Sequence, residues 1–409
     1  MPRSRNCSWG DEMDRVIAFF KGLWGSIAGT VRGLWRSVIG IGALDRFFKR
    51  GDPGQKRSLP SKLFYYMRPL IVLLIILYNA IIIVRFSHIN GDELQYPQVV
   101  IAETPHGVTP GTRLTGGAGE CAGSEIVAVT AYILDVLVNQ NAWVPGDPFY
   151  KIGWFGLAPF EAGPFLDNKA SFQKGALSAV RRVSVELVDL LGRARGTSAA
   201  DEDLQAARGA LQWNERAWIV NPFDSRVPLL STSAADSYRS AIDQLTEYNR
   251  RLQNCDALFD ARSDNLFQFL DRVANHTGGI TDQLSKRAKA ERWDVPSKQF
   301  VPAPEGNNRG IFDFRADNLF YEAHGAMWAY HGIMQGARVD FGQVVQQSNL
   351  DQIWDRMEGH IAESAALSPI IVSNGAEDSL YFPAHLSAMA VNMLRARANM
   401  TELREILNR

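Results

Sequence analysis

Apolar positions recur along this chain in three rhythms, and each predicts a different element. Over 69–84 they are continuous (PLIVLLIILYNAIIIV), interrupted by Asn79 and bracketed by Arg68 and Arg85. A helix rising 1.5 Å per residue needs about 17–25 residues to span a bilayer. Phe64, Tyr65, Tyr66 and Met67 extend the run on one side and Phe86 on the other, so the pattern predicts a transmembrane helix over 63–86. Arg68 and Arg85 are placed to snorkel their charges to the two interfaces, and the tyrosines suit the headgroup belt. The alternative is a buried core helix, which is seldom this rich in Leu and Ile on every side.

The second rhythm has a period of 11 residues: Lys21-Gly-Leu-Trp-Gly-Ser-Ile27 returns as Arg32-Gly-Leu-Trp-Arg-Ser-Val38. That shift is almost three helical turns, so both copies share one face. Trp24 and Trp35 then lie on one apolar stripe, with Lys21, Arg32 and Arg36 beside it. This predicts an amphipathic helix lying in the membrane interface, its basic residues on the anionic inner leaflet. A helix that docks on a protein partner is the alternative. Gly22, Gly25, Gly29 and Gly33 each weaken such a helix in water by about 1 kcal/mol relative to Ala, so it is expected to fold on the membrane.

The third rhythm is helical and fills the rest of the chain. Residues 126–138 are apolar on nearly all sides and predict a buried helix, with a pair of strands as the alternative. Residues 169–194 and 201–213 carry one-faced helical spacing. Tyr238, Leu245, Leu252, Phe259, Leu266, Val273 and Ile280 fall a heptad apart, which predicts one long bundle helix or two consecutive ones. Gly278-Gly279 mark where that helix could end or kink. Asp317 is the expected N-cap of a helix over 318–335, and a final helical pair is expected at about 342–366 and 384–407. The Pro- and Gly-bearing stretches 87–120 and 293–312 read as an extended connector, with β-like pieces such as Val99-Val100-Ile101, and as a loop. The fold class expected is therefore mainly α. The parts are a cytoplasmic arm (1–62) with an amphipathic helix, a single transmembrane helix (63–86), a connector (87–120), and a helical-bundle domain (121–409) with minor β structure near its start.

Charge orients this arrangement. Residues 1–68 carry 13 Lys and Arg against 5 Asp and Glu, whereas 86–150 carry Arg113 alone against seven acidic residues. Short basic flanks stay in the cytoplasm, so the N-terminus is expected inside and the domain outside. The segment Arg85-Phe86-Ser87-His88 has no small-residue cleavage pattern, which favours an uncleaved anchor over a signal peptide. Of the three cysteines, Cys7 falls on the reducing side; Cys121 and Cys255 share the oxidising side, where they can form a disulfide or remain thiols.

Candidate chemistry is sparse. The chain has no HExxH, P-loop or GxSxG motif and no closely spaced cysteine pair. His324 and His331, two turns apart on one helix, stand about 10 Å from each other and read as paired core or surface histidines, so no metal and no cofactor is expected. A glycan-cleaving enzyme would need two carboxylates about 5–10 Å apart; Glu120, Glu125 and Glu363 are the candidates. Trp143, Phe149, Trp154 and Phe155, in an aromatic, Pro- and Gly-rich segment, are either loop packing or an interaction surface.

Several stretches carry a resemblance: the single N-terminal span, Asn141-x-Trp143-x-Pro-Gly-Asp147-Pro148-Phe149, the twice-used Arg-x-Asp-Asn-Leu (Arg262 and Arg315), and Arg338-Val-Asp340-Phe341. Together they resemble the bacterial membrane proteins grouped as domain of unknown function 2333. The resemblance implies a bacterial inner membrane and a periplasmic body, and it brings no catalytic residue. The function expected is a non-catalytic envelope scaffold or assembly factor, with the lipid bilayer, envelope proteins and a further copy of the chain as partners and no nucleic acid. The alternative is a periplasmic protein that cleaves or binds glycan. A sensor is a third reading, for which no cytoplasmic output domain is recognisable.

Overall fold

The computed structural model describes residues 59–101, 108–113, 121–153, 166–193, 199–218, 232–289, 291–303 and 313–408. The predicted arm (1–62) with Trp24, Trp35, Lys21, Arg32 and Arg36 lies almost wholly outside them, as do Cys7, Glu120, Trp154 and Phe155. The chain divides into two compact units, Met1–Ile81 and Ile82–Arg409.

Helix α1 (Leu59–Ser87) runs through the end of the first unit. Its side chains at 59–69, 71 and 72, Arg68 among them, are outside the described residues. Those that are described include Leu73, Leu74, Ile75, Ile76, Leu77 and Ile81, each 48–59% exposed. Among the described residues, no helix is long and apolar enough to cross a membrane. The polar interruption is absorbed locally, since Asn79 Nδ2 donates to the carbonyl of Ile75 (2.7 Å).

The second unit is a helical bundle arranged around one central helix. Its elements are α2 (Tyr96–Ile101), α3 (Glu125–Asp135), α4 (Pro148–Ile152), α5 (Asn168–Glu186), α6 (Glu202–Leu211), α7 (Ala234–Gln253), α8 (Ser263–Ala288), the hairpin β1 (Glu291–Asp294) and β2 (Gln299–Pro302), α9 (Phe314–Asp340), α10 (Gly342–Gln347), α11 (Asp351–Ala365) and α12 (His385–Leu407). Wide π turns extend α3 through Val136–Gln140 and α5 through Leu187–Leu191. Side-chain caps start several helices: Ser124 Oγ accepts from Val127 N–H at α3, Asp201 from Asp203 N–H at α6, and Ser233 from Asp236 N–H at α7.

Helix α9 is the centre, packing on α5, α3, α11, α8, α12 and α2. Phe320, Met327, Trp328, Tyr330, Ile333 and Met334 are fully buried, so apolar residues occupy every side of the helix. It approaches α5 closely through reciprocal glycines. A Cβ on Gly175 would stand 1.8 Å from the Glu322 carbonyl oxygen, and one on Gly325 would stand 2.0 Å from that of Phe172. At its C-terminal end the buried Asp340 accepts from Ser124 Oγ (2.6 Å) and from the backbone N–H groups of Glu125 (2.8 Å) and Ile126 (3.0 Å). That carboxylate holds the start of α3 against the end of α9, where it satisfies amides that the helix leaves without partners.

Several expectations require correction. The connector is not extended where it is described: Val99-Val100-Ile101 belongs to helix α2, which starts beside Pro97, a residue tolerated in a first turn. Buried Tyr96 donates its hydroxyl to the Trp328 carbonyl (3.0 Å), so this stretch packs on the central helix. Of the two readings of the heptad row, two consecutive helices is the one found: α7 and α8, with Phe259 buried in the turn between them. The reversal runs through Cys255, whose φ is +64°. Gly278-Gly279 neither end nor kink α8, which continues to Ala288. Asp317 lies in the first turn of α9 and is not its cap; the helix opens at Phe314, after Asp313 has paired with Arg287. Asn349, with φ +52°, separates α10 from α11 inside the expected 342–366 helix. The paired strands are at 291–302, overlapping the predicted loop, and β structure near the domain's start is a single bridge between Arg113 and Cys121. Arg85 does not stand free at an interface: its Nε donates to Asp147 (3.0 Å). Ile82 and Phe86 are buried, Phe86 with its ring 5.5 Å from that of Tyr150, so the last turns of α1 belong to the second unit's core.

Candidate functional site

The predicted site residues separate into structural ones and ones without a shared site. Cys121 and Cys255 form a disulfide (Cα–Cα 5.4 Å) that ties the chain before α3 to the end of α7. Glu125 is buried at the start of α3, beside the Asp340 clamp. Glu363 is exposed on α11 and faces His360 Nδ1 (3.3 Å). His324 and His331 are buried separately: Nε2 of His324 bonds the Ala365 carbonyl (2.8 Å) and Nε2 of His331 the Leu94 carbonyl (3.0 Å). Burial lowers both their pKa values, as expected of neutral core imidazoles. Among the described residues, no group of three metal-ligating side chains is assembled.

The residues that carried the family resemblance have architectural roles here. Asn141 exchanges hydrogen bonds with the backbone of Asn90 (3.0 and 2.8 Å). Trp143 Nε1 donates to the Glu215 carbonyl (2.8 Å), and its ring packs edge-on to Tyr238. Asp147 caps α4 and pairs with Arg85. Asn265 Nδ2 donates to the Asp260 carbonyl (2.9 Å), Asn318 Oδ1 accepts from Ser171, and Asp340 forms the clamp. Phe149, from the same segment, is 58% exposed.

Two features remain that could meet other molecules. The first is a cleft of about 350 Å³ between α5, α8 and α9. From α5 it receives Ser178 and Arg182, from α8 Asn275, His276, Gly279 and Gln283, and from α9 Glu322; Ile280, Leu284 and Leu319 supply apolar wall. His276 Nδ1 lies 2.7 Å from the hydroxyl of buried Tyr330. Burial pushes that phenol's pKa up, so its hydroxyl keeps its proton and can donate to Nδ1 or accept from it according to the ring's tautomer. Burial and the nearby Arg182 charge push His276 down to about 4, so the ring is neutral at physiological pH. Arg182 lies 3.6 Å from the buried Glu186, and burial raises the pKa of both Glu186 and Glu322. Ser178 Oγ donates to the Gly175 carbonyl (2.7 Å) and so is committed to its own helix. This arrangement offers a cation, a neutral imidazole, carboxamides and one carboxylate: groups that bind, with no activated nucleophile.

The second feature is apolar. In the hairpin, Trp293 pairs with Phe300, their rings 5.2 Å apart, and both are exposed along with Val295. In the loop between α11 and α12, Ile370 is 96% exposed and Leu380 86%, with Ile371 and Tyr381 also exposed. Both segments adjoin the C-terminal end of α8: the hairpin follows it in sequence, and the loop's Asn374 donates to the Arg287 carbonyl (3.2 Å). Sequence reading missed both features. The cleft is assembled from helices far apart in the chain. The exposed loop did carry a signal, since Ile370-Ile371 and Leu380-Tyr381-Phe382 are apolar without helical spacing.

A family model described as an uncharacterized protein conserved in bacteria matches residues 153–409, starting just after the Asn141–Phe149 fingerprint. No curated protein and no solved structure gives a significant match. The match covers more than half of the chain, which therefore belongs to the family of domain of unknown function 2333 (DUF2333).

Proposed function

We propose that this protein is a single-pass inner-membrane scaffold whose helical domain stands in the periplasm and docks an envelope protein through the apolar end formed by the hairpin and the 366–384 loop. The observation that carries this reading is the exposure of Trp293, Val295 and Phe300 in the hairpin that follows α8, and of Ile370, Leu380 and Tyr381 in the loop that Asn374 ties to the end of α8. Scattered exposed apolar residues are ordinary, but grouped ones mark interaction surfaces. The Leu- and Ile-clad α1 supports an anchor within 63–86, and the basic excess before residue 69 supports a cytoplasmic N-terminus. The Cys121–Cys255 disulfide fits an oxidising compartment. The glycan-hydrolase alternative draws less support, because the cleft is lined by a single carboxylate, Glu322.

Photo-crosslinking in intact cells tests the docking. A benzoyl-phenylalanine at position 293 or 380 should give a discrete adduct, which one at Glu202 on α6 should not. An adduct with a further copy of the chain would identify the partner as the protein itself, and no adduct from either position would refute the docking surface. Maleimide labelling tests the compartment. Cys7 should react only once the inner membrane is permeabilised, and Cys121 and Cys255 only after reduction. Labelling of all three without reductant would place the domain in a reducing compartment.

A further inference from the structure

We propose that the cleft between α5, α8 and α9 binds a small carboxylate ligand of amino-acid or short-peptide size, with Arg182 as the carboxylate anchor and Gly279 as the position that keeps the cleft open. The inference stands apart from the membrane reading and concerns a different surface from the apolar end.

Size is the first constraint. About 350 Å³ is near the lower end of the range of small-molecule sites, enough for a few residues' worth of ligand and too small for a polymer segment. Charge is the second. Arg182 forms a long ion pair with Glu186 through one guanidinium nitrogen (3.6 Å), and Glu186 also feels the positive charge of Arg272. Arg182 and Arg272 both act on the buried Glu186, with Asp189 opposing them, while the cleft wall itself carries one cation, Arg182, and one carboxylate, Glu322, a pairing that suits a zwitterion. The planar guanidinium suits a carboxylate, which it can engage through two parallel N–H donors. His276 adds a neutral imidazole held by Tyr330, and Gln283 adds a carboxamide able to donate or accept. Glu322 supplies an acceptor for an amino group.

Gly279 is the third observation. Its neighbour Gly278 has a reason within the fold, because a Cβ there would stand 2.9 Å from Arg397 Nε. A Cβ on Gly279 would meet nothing within 4 Å. Glycine inside a helix costs about 1 kcal/mol relative to alanine, and at 279 no packing contact in the fold accounts for that cost. Gly209 and Gly359 also face open space, but of these three Gly279 alone lines the cleft. A side chain at 279 would take up the volume a ligand needs.

The test is isothermal titration of the full chain with alanine, alanyl-alanine, alanyl-alanine amide and inorganic phosphate. Binding of the dipeptide at least 10-fold tighter than its amide is the expected result, and the free amino acid shows whether a peptide bond is also read. Arg182→Gln should remove the preference for the carboxylate. Because that change also alters the surroundings of buried Glu186, Gly279→Leu is the second variant. It adds helix propensity and its Cβ meets nothing within 4 Å, so its unfolding temperature should equal or exceed the parent's while dipeptide binding falls at least 10-fold. Equal binding of acid and amide, unchanged binding in Gly279→Leu, tighter binding of phosphate than of any carboxylate, or no binding by any probe would each overturn the proposal.

Discussion

Helices α1 and α9 are both apolar on every side, yet they are built from different residues, and under the proposed membrane reading the difference follows from what surrounds each. The apolar stretch of α1 is almost wholly Leu, Ile and Val, large side chains that fill space without needing a particular neighbour. Helix α9 carries Ala, Gly, Met and aromatic residues, with His324, His331 and Asp340 among them, and each of these three polar groups has a named partner. A helix enclosed by other helices needs small residues where backbones approach and polar groups only where a partner is fixed. A helix facing lipid has no such neighbours, and bulky aliphatic side chains serve it on all sides.

The largest effect should come from charging α1. Two arginines, Leu73→Arg with Leu77→Arg, would cost about 5–7 kcal/mol at the centre of a span, from about 2.5–3.5 for each. Alkaline extraction should then move the protein from the membrane pellet to the supernatant. If both versions extract alike, the anchor is not α1.

The converse change belongs to α9. Gly175→Ala places a methyl 1.8 Å from the Glu322 carbonyl oxygen, and backbone on both helices must move. Overpacking of this kind should destabilise the domain by about 3 kcal/mol or more, read by chemical denaturation of the purified chain in detergent. Leu74→Ala in α1 should leave the same unfolding transition within about 0.5 kcal/mol. Equal sensitivity of the two helices would erase the distinction between them.

Where α1 passes into the bundle the contrast can be located. Arg68 and Arg85 bracket the apolar run symmetrically in sequence, but Arg85 is bound to Asp147, whose side chain is only 4% exposed and also caps α4. Arg85→Gln should therefore destabilise the domain, by about 1 kcal/mol since the arginine itself is half in solvent, while Arg68→Gln should change membrane extraction and not the unfolding transition. The same effect from both would mean that Arg85 serves the interface after all.

Much of this architecture was legible in periodicity, and what was not has physical causes. The rows through Tyr238 and Leu266 correctly marked amphipathic helices, but the heptad stayed in phase across a chain reversal because Phe259 is buried in the turn itself. A non-glycine residue in the left-handed region, Cys255, makes that reversal, and nothing in its identity announces it. The hairpin was hidden by Pro296 and Pro302, which sit outside the paired interior and at its end. The cleft left two faint traces, the polar His276 between Val273 and Ile280 of the heptad row and a glycine pair that does not end its helix. Neither can be read as a site until α5 and α9 are folded against α8.

Titration offers the most local separation of the two helices. Asp317, in the first turn of α9, is pushed up to about 7 by burial, with Asp167 and Asp313 adding repulsion. Its ordinary value is 3.8, so the folded domain holds this proton more tightly than the unfolded chain does. The stabilisation it contributes is complete below about pH 4 and is lost as pH rises to about 7, after which this group changes nothing further. Asp340 is likewise pushed up to about 7 by burial and acts with the same sign, but replacing it would also break the clamp on α3. Asp317→Asn is therefore the cleaner variant. Relative to the parent it should gain stability between pH 4 and 7 and hold that gain at pH 8, with chemical denaturation at each pH as the measurement. The apolar stretch of α1 has no titratable group besides Tyr78, so its extraction behaviour should not follow this window. A parent and variant whose stabilities run parallel from pH 4 to 8 would show that Asp317 keeps its ordinary acidity, and that the first turn of α9 is more open to water than its burial implies.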